Sequence, residues 1–263
     1  MKDPACRALN IPSFAAGVAV LCLSACSTPS VNPAGPSYVR RVEFGGVPQT
    51  KALAERARNT CDQLYPSVCA LLADGNWDFP SHFDICFKKE LPQMRTGEAR
   101  MTQICLNSHY LQQFQENPAT LDEMVVHEMA HVAQHYYHPI VCRLVVFDPH
   151  PPSCWQEGIA DYVCFKLGQT NGWHCAECDS QYPHYRNGYS CAGAFLLYLE
   201  GTYNSNVVRQ LNTVLRRGRY SDDFFLSTTG KDLAALWAEF QRTPGVHIQC
   251  GADAGIAAGA GLY

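Results

Sequence analysis

The chain has 263 residues, of which 47% are hydrophobic and 17% are charged, and its formal net charge is −4. This composition suits one folded domain with a sizeable core, and the sequence contains no internal repeat. Because there is no run of basic residues, nothing suggests nucleic acid or an anionic membrane surface as a partner, and no pattern fixes an oligomeric state.

Residues 1–25 have the pattern of a lipoprotein-type signal peptide. Lys2 and Arg7 give a weakly positive start, and residues 14–23 form an apolar stretch that is too short for a normal membrane-spanning helix. The stretch ends in Leu-Ser-Ala-Cys at residues 23–26, which resembles the lipobox of bacterial lipoproteins. We therefore expect Cys26 to be lipidated and to hold an exported protein at the cell envelope, on the outer membrane or the periplasmic face. A cleaved signal, giving a secreted protein, and an uncleaved anchor are the alternatives.

Residues 26–37 are rich in Ser, Pro and Asn and are predicted to form a flexible tether. The folded domain is predicted at residues 38–245, and residues 246–263 form a Gly/Ala-rich tail.

Cysteine usage agrees with export. Of the 14 cysteines, Cys6, Cys22 and Cys26 lie in or at the end of the leader, which leaves 11 in the rest of the chain. Such a number is typical of disulfides in an oxidising compartment, and an odd count leaves at least one cysteine free or in an intermolecular bond. Cys175 and Cys178 are predicted to belong to a loop disulfide, because no second CxxC motif or βαβ pattern supports a zinc ribbon or a redox site.

The pattern of apolar residues predicts strands first and helices after them. Residues 82–87 alternate as in a half-buried strand. Pro66 is expected to break the first helix, with a further turn through Leu72. Strands are predicted at residues 38–44, 82–87 and 101–106, and helices at 51–65, 155–167, 190–200, 207–217 and 232–240, with a short turn near Ser221. This order predicts an α+β domain.

A further helix carries the most informative motif, His127-Glu128-Met129-Ala130-His131. It follows a break at Asn117-Pro118, a capping-box pattern formed by Thr120 and Glu123 is predicted to start it, and Pro139 stops the run. Histidines four residues apart lie about 40° apart around a helix, so both can reach one metal ion. Glu128 then lies beside the metal as a base without being a ligand.

The downstream pattern Glu157-Gly158-Ile159-Ala160-Asp161 can supply the third metal ligand and an acceptor for a ligand histidine. Glu157 is predicted to be the third ligand, and Asp161 is predicted to accept a hydrogen bond from a ligand histidine. A three-histidine site would need Gly at position 134 and His at position 137, which are Gln134 and Tyr137 here. His135 and His138 are accordingly predicted to lie on the surface at the helix end. A solvated helix face is the alternative to a metal site.

Five segments together resemble the plant-type basic secretory protein family, which is assigned to the zinc metallopeptidases. They are residues 127–134 (HEMAHVAQ), 157–163 (EGIADYV), 194–199 (AFLLYL), 220–225 (YSDDFF), and Gly230-Lys231 leading to Leu236-Trp237. The resemblance implies a zincin-like fold, a small mixed sheet followed by helices, with His127, His131 and Glu157 as ligands of Zn²⁺ and Glu128 as the base. Tyr189 falls where the family has a tyrosine, and it acts either in catalysis or as a packed aromatic at a helix start.

The chain departs from that family in being acidic, rich in cysteine and lipoprotein-like at its start, and in an insertion at residues 139–152. The predicted function is an exported zinc metallopeptidase that acts on a peptide or protein through a zinc-activated water, with Glu128 as general base. The strand at residues 101–106 is expected to be an exposed edge that pairs with extended substrate. The alternatives are a non-catalytic zinc-containing binding or defence module, which would have no need of Glu128, and a disulfide-held structural lipoprotein of the envelope.

Overall fold

The computed structural model describes residues 37–45, 51–75, 78–92, 95–113, 118–136, 152–169 and 184–243. Within these ranges the order of elements confirms the α+β prediction. The strands are β1 (Val39–Glu43), β2 (Phe83–Lys88), β3 (Gly97–Arg100) and β4 (Gln103–Asn107), and the helices are α1 (Lys51–Leu72), α2 (Ser108–Gln113), α3 (Pro118–Gln134), α4 (Ser153–Lys166), α5 (Tyr189–Thr202), α6 (Val207–Arg216), α7 (Asp223–Thr229) and α8 (Leu233–Arg242). The predicted signal peptide, the Cys175–Cys178 pair, the C-terminal tail, and most of the tether and of the insertion lie outside the described residues.

The sheet is small and mixed, with the strand order β1-β2-β4-β3. β1, β2 and β4 run parallel, and β3 runs antiparallel to β4. The strand predicted as the exposed edge is β4, and this expectation is wrong because β4 lies between β2 and β3. The edge on that side is β3, which the sequence analysis missed because its four residues, Gly-Glu-Ala-Arg, are too few and too polar to show a strand pattern.

β2 is more deeply buried than predicted, with five of its six residues buried. Its inner face, including Ile85, joins the core formed with α1 and α3. On the outer face Asp84 accepts hydrogen bonds from Arg40 at 3.0 and 2.9 Å, and Cys86 forms a disulfide with its neighbour in the sheet, Cys105. Both faces are covered, so the half-buried prediction is wrong.

Two helix boundaries also differ from prediction. α1 continues through Pro66, since residues on both sides of the proline, among them Tyr65 and Val68, are fully buried in the core. The lost backbone bond of the proline is outweighed by this packing. α3 begins at Pro118, which suits the first turn because its missing N–H would have no helical partner there. Thr120 therefore lies inside the first turn and is not the predicted cap.

α4 and α5 cross at very short range because each contributes a glycine. A Cβ on Gly158 would lie 2.4 Å from the Cβ of Ala192, and a Cβ on Gly193 would lie 3.0 Å from the Cβ of Asp161. Since real Cβ contacts are longer, only glycine permits this approach. The crossing fixes the helix that carries Glu157 and Asp161 against the rest of the core.

The cysteines only partly follow the disulfide prediction. Cys86–Cys105 is a disulfide and Cys191 is also disulfide-bonded, whereas four thiols within the described ranges are free. These are Cys61, Cys69, Cys154 and Cys164. Among the helices the structure describes, none combines the length and apolar character needed to cross a membrane.

Candidate metal centre and active site

Three side chains from two helices bring their donor atoms to one point. His127 and His131 lie one turn apart on α3, and Glu157 comes from the first turns of α4. Their donor atoms lie within 4.8 Å of one another, the one such group in the part of the chain that the structure describes. Nε2 of His127 is 3.1 Å from Nε2 of His131, and Oε2 of Glu157 is 3.1 and 3.2 Å from these nitrogens. The structure thus brings together the three residues predicted as ligands.

The spacing of these atoms fits a metal ion. A tetrahedral centre with bonds of about 2.0–2.1 Å to nitrogen and oxygen places its donor atoms roughly 3.3–3.4 Å apart. Two imidazole nitrogens and a carboxylate oxygen are a donor set that divalent zinc accepts, and three protein ligands leave a fourth position open. The three residues could therefore hold a metal ion with only small adjustments.

The ionisation of each group in this cluster depends on the charge of its neighbours. Burial by itself would lower the pKa of His127 and of His131. For His127, hydrogen bonds to Asp161, Cys164 and Glu157 outweigh burial and raise the pKa well above its usual value. For His131, the charge of Glu157 and the hydrogen bond to it raise the pKa. Burial would likewise raise the pKa of Glu157, yet the two histidines outweigh it and hold that pKa well below its usual range. Glu157 therefore stays ionised and supplies the negative charge at the centre.

Asp161 lies where the sequence analysis placed it, one turn beyond Glu157. Nδ1 of His127 donates a hydrogen bond to Oδ1 of Asp161 at 2.7 Å, and Asp161 is fully buried. A proton held on Nδ1 leaves Nε2 of His127 with its lone pair directed to the cluster.

Glu128 lies beside the donor cluster and is not part of it. Its side chain is buried, and Oε2 has no hydrogen-bond partner among the described residues. Burial raises the pKa of Glu128, although the two neighbouring histidines oppose the shift. The start of β3 covers it, since a Cβ on Gly97 would lie only 2.6 Å from Oε1 of Glu128. The backbone of the edge strand and the carboxylate are therefore in close contact.

Tyr189 opens α5 next to the cluster. Its ring lies 6.0 Å from the ring of His127 and nearly parallel to it, and 46% of the residue is exposed. Its φ of 43° is uncommon for a residue with a side chain, and Gly188 before it also has a positive φ of 74°. Tyr189 is thus a partly exposed aromatic that stacks on a predicted ligand histidine at the start of α5.

Two residues that follow the motif, Gln134 and His135, differ in their relation to the site. His135 ends α3 in a left-handed conformation with a φ of 48°, is partly buried and is not part of the donor group, whereas His138 lies outside the described residues. Gln134, which the sequence analysis used only to exclude a subclass, is 1% exposed and contacts His131. Its spacing of three residues after His131 on the same helix is the signal that could have identified it.

The comparisons with known proteins agree with this geometry. A family model described as BSP, peptidase of plants and bacteria, matches residues 93–240, which is more than half of the chain and includes the whole donor cluster. No curated protein and no solved structure matches the chain. On the family model and the motifs together, the chain belongs to the basic secretory protein family, the BSP peptidases of plants and bacteria.

Proposed function

We propose that the protein is an exported zinc-dependent peptidase that hydrolyses peptide bonds with Glu128 as its general base. The observation that carries the proposal is a buried carboxylate, Glu128, placed beside a two-histidine, one-glutamate donor cluster without belonging to it. A purely structural metal site has closed coordination and no use for such a base. Membership of a family described as peptidases supports the reaction class.

His127, His131 and Glu157 would hold the zinc ion. When bound, zinc supplies Lewis-acid chemistry, in which it polarises the carbonyl of the scissile bond and makes a water molecule more acidic. Glu128 accepts the proton of the attacking water and passes it to the leaving amine.

The edge strand β3 is the proposed platform for an extended substrate. It lies at the end of the sheet in the described residues, and its first residue, Gly97, covers Glu128. A peptide that adds to this edge as a further strand would lie about 4.8 Å from β3, on the strand next to the one that contacts the base. We assign to Tyr189 the stabilisation of developing negative charge, since its ring lies against that of His127 and nearly half of the residue is open to solvent.

The competing function is a zinc-containing binding or defence module without catalysis. The substitution Glu128→Gln separates the two functions, because it keeps the size of the side chain and removes its ability to accept a proton. We expect the variant to fold and to retain zinc, while proteolysis falls by roughly 10²–10⁴-fold. The matched control is Glu55→Gln on the exposed face of α1, which should keep full activity.

Both variants are compared with wild type in zinc content and in the digestion of a diverse peptide library. If Glu128→Gln cleaved peptides as fast as wild type, Glu128 would not be the base. If the wild type bound zinc but cleaved no peptide, the binding module would be the better interpretation.

We also propose that the protein reaches the cell envelope and is held there by a lipid on Cys26. The motif at residues 23–26 supports this, and the Cys86–Cys105 disulfide fits an oxidising compartment. A diacyl- or triacyl-cysteine at the mature N-terminus, measured by mass spectrometry, would establish the anchor; an unmodified N-terminus beyond residue 27 would exclude it. A secreted protein is the alternative.

A further inference from the structure

We infer that Gln134 is a positioning residue that sets the tautomer of His131 and ties its position to that of Glu157. The inference rests on the proposed zinc function and adds to it a second support of the site, at His131, where Asp161 supports His127. Gln134 is the last residue of α3, and only 1% of it is exposed.

A backbone carbonyl on α4 sets the orientation of the Gln134 amide. Nε2 of Gln134 donates a hydrogen bond to the carbonyl oxygen of Gln156 at 2.8 Å. A carbonyl can only accept, so the NH₂ end of the Gln134 amide must face Gln156. This fixes the orientation of the amide, and its oxygen must then face the other way.

That oxygen lies against His131. Oε1 of Gln134 is 2.7 Å from Nδ1 of His131. An amide oxygen can only accept, so Nδ1 of His131 must carry the proton. With the Nδ1 proton held by Gln134, the proton that His131 gives up to become neutral is the one on Nε2, which lies 3.2 Å from Glu157 and 3.1 Å from His127. A carbonyl on α4 therefore determines which nitrogen of a histidine on α3 is free for the metal.

The same amide connects two ligands from different helices. Gln156 directly precedes Glu157, so the hydrogen bond to its carbonyl fixes the backbone beside the third ligand. The end of α3 is held in turn by Arg216, which donates hydrogen bonds to the carbonyl oxygens of Ala133 and Gln134, both at 3.0 Å. Gln134 can hold its place because its own backbone is fixed from α6.

The two ligand histidines thus have different supports. His127 donates to a carboxylate, Asp161, whereas His131 donates to a neutral amide. Groups of this kind change metal affinity by about 10–100-fold when they are removed. An effect of that size is expected for Gln134 although it touches no donor atom of the cluster.

The test uses three variants of the full chain. Gln134→Met keeps the length of the side chain and removes both hydrogen bonds, while Gln134→Glu keeps an acceptor for His131. The control is Gln63→Met on the exposed face of α1. Zinc affinity is measured by competition with a chelator, and the tautomer of His131 is read in the metal-free protein by two-bond ¹⁵N–¹H correlation at a pH where the imidazoles are neutral.

We expect wild type to carry the proton on Nδ1 of His131, and Gln134→Met to lose that preference and to bind zinc about 10–100-fold more weakly. Gln134→Glu should restore the tautomer, because its carboxylate accepts from Nδ1 of His131, but it cannot donate to the carbonyl of Gln156, so its zinc affinity should lie between those of Gln134→Met and wild type. The inference is overturned if wild-type His131 carries its proton on Nε2, or if Gln134→Met keeps both tautomer and affinity. It is also overturned if Gln134→Glu loses the Nδ1 tautomer as Gln134→Met does.

Gln134→Met has the larger risk of misfolding. If it does not fold, the tautomer of wild-type His131 and the Gln134→Glu variant still test the inference. Failure of the proposed function has a different signature. If wild type bound no zinc or cleaved no peptide, the peptidase proposal would fall, while the tautomer in the metal-free protein would still test Gln134.

Discussion

Gly97→Ala would place a methyl group in the space that the carboxylate of Glu128 occupies. The added Cβ would lie 2.6 Å from Oε1 and 3.1 Å from both Cγ and Cδ of Glu128. Since non-bonded heavy atoms are most stable at about 3.5–4.0 Å, the carboxylate would have to withdraw by roughly 1 Å. Glu128 is flexible enough to move, and the substitution therefore displaces the base and leaves the three ligands in place.

A shift of this size is large for a catalytic group. A misplacement of about 1 Å can lower a rate by roughly 100-fold, so we expect kcat/KM to fall about 10–100-fold. Zinc content should stay at the wild-type level, because the three atoms nearest to the new methyl group all belong to Glu128 and none to a ligand. The loss should resemble a mild form of Glu128→Gln.

The assay compares kcat/KM on a cleaved library peptide with zinc stoichiometry on the same preparation. Gly201→Ala is the matched control: it is the same change in a helix, and beyond its chain neighbours and its own helix backbone no atom lies within 4 Å of the added Cβ. It should keep full activity and gain about 0.5–1 kcal/mol of stability from helix propensity. A Gly97→Ala enzyme with wild-type kcat/KM would refute the contact between β3 and the base.

Two further predictions concern charged groups. Asp161→Ala should weaken zinc binding about 10–100-fold in a chelator competition, because His127 loses the acceptor on Nδ1, and an unchanged affinity would contradict its role. The hydrogen bond and charge of Arg40 hold the pKa of Asp84 below its usual value in the folded protein. The ionised pair therefore stabilises the fold at pH values above the pKa that Asp84 has in the unfolded chain. This stabilisation is lost as the pH falls through the pKa of Asp84 in the folded protein. Asp84→Asn should therefore lower the free energy of unfolding at pH 7, and the difference from wild type should shrink below pH ~4 in urea titrations; a difference that did not change with pH would exclude this linkage.

The donor cluster could be predicted from the sequence because its geometry is local. His127, Glu128 and His131 share one helix, and helical spacing alone fixes how they face. Glu157 and Asp161 are again one turn apart, so a second local pattern supplied them. Only the meeting of α3 and α4 had to be assumed, and the structure confirms that these donor atoms converge.

The contacts that surround the cluster could not be predicted, because they join distant parts of the chain. Gly97 covers Glu128 only once β3 is paired at the sheet edge, and β3 has no apolar pattern of its own. Gln134 on α3 donates a hydrogen bond to the carbonyl oxygen of Gln156 on α4. The unbroken helix at Pro66 has the same origin, since core packing on both sides outweighs a local preference.

The disulfide between Cys86 and Cys105 has a consequence for the edge strand. It joins two neighbouring parallel strands that are 19 residues apart in the chain, and β3 lies within the loop that it closes. In a chain-entropy model a loop of this length contributes roughly 3 kcal/mol by restricting the unfolded chain. A one-residue slip of β3 would present Glu98 in place of Gly97 to Glu128 and set two carboxylates against each other. The disulfide-closed loop contains β3 and its turn to β4, so it reduces the number of registers in which β3 can pair with β4 during folding. It thereby favours the register in which Gly97 contacts Glu128.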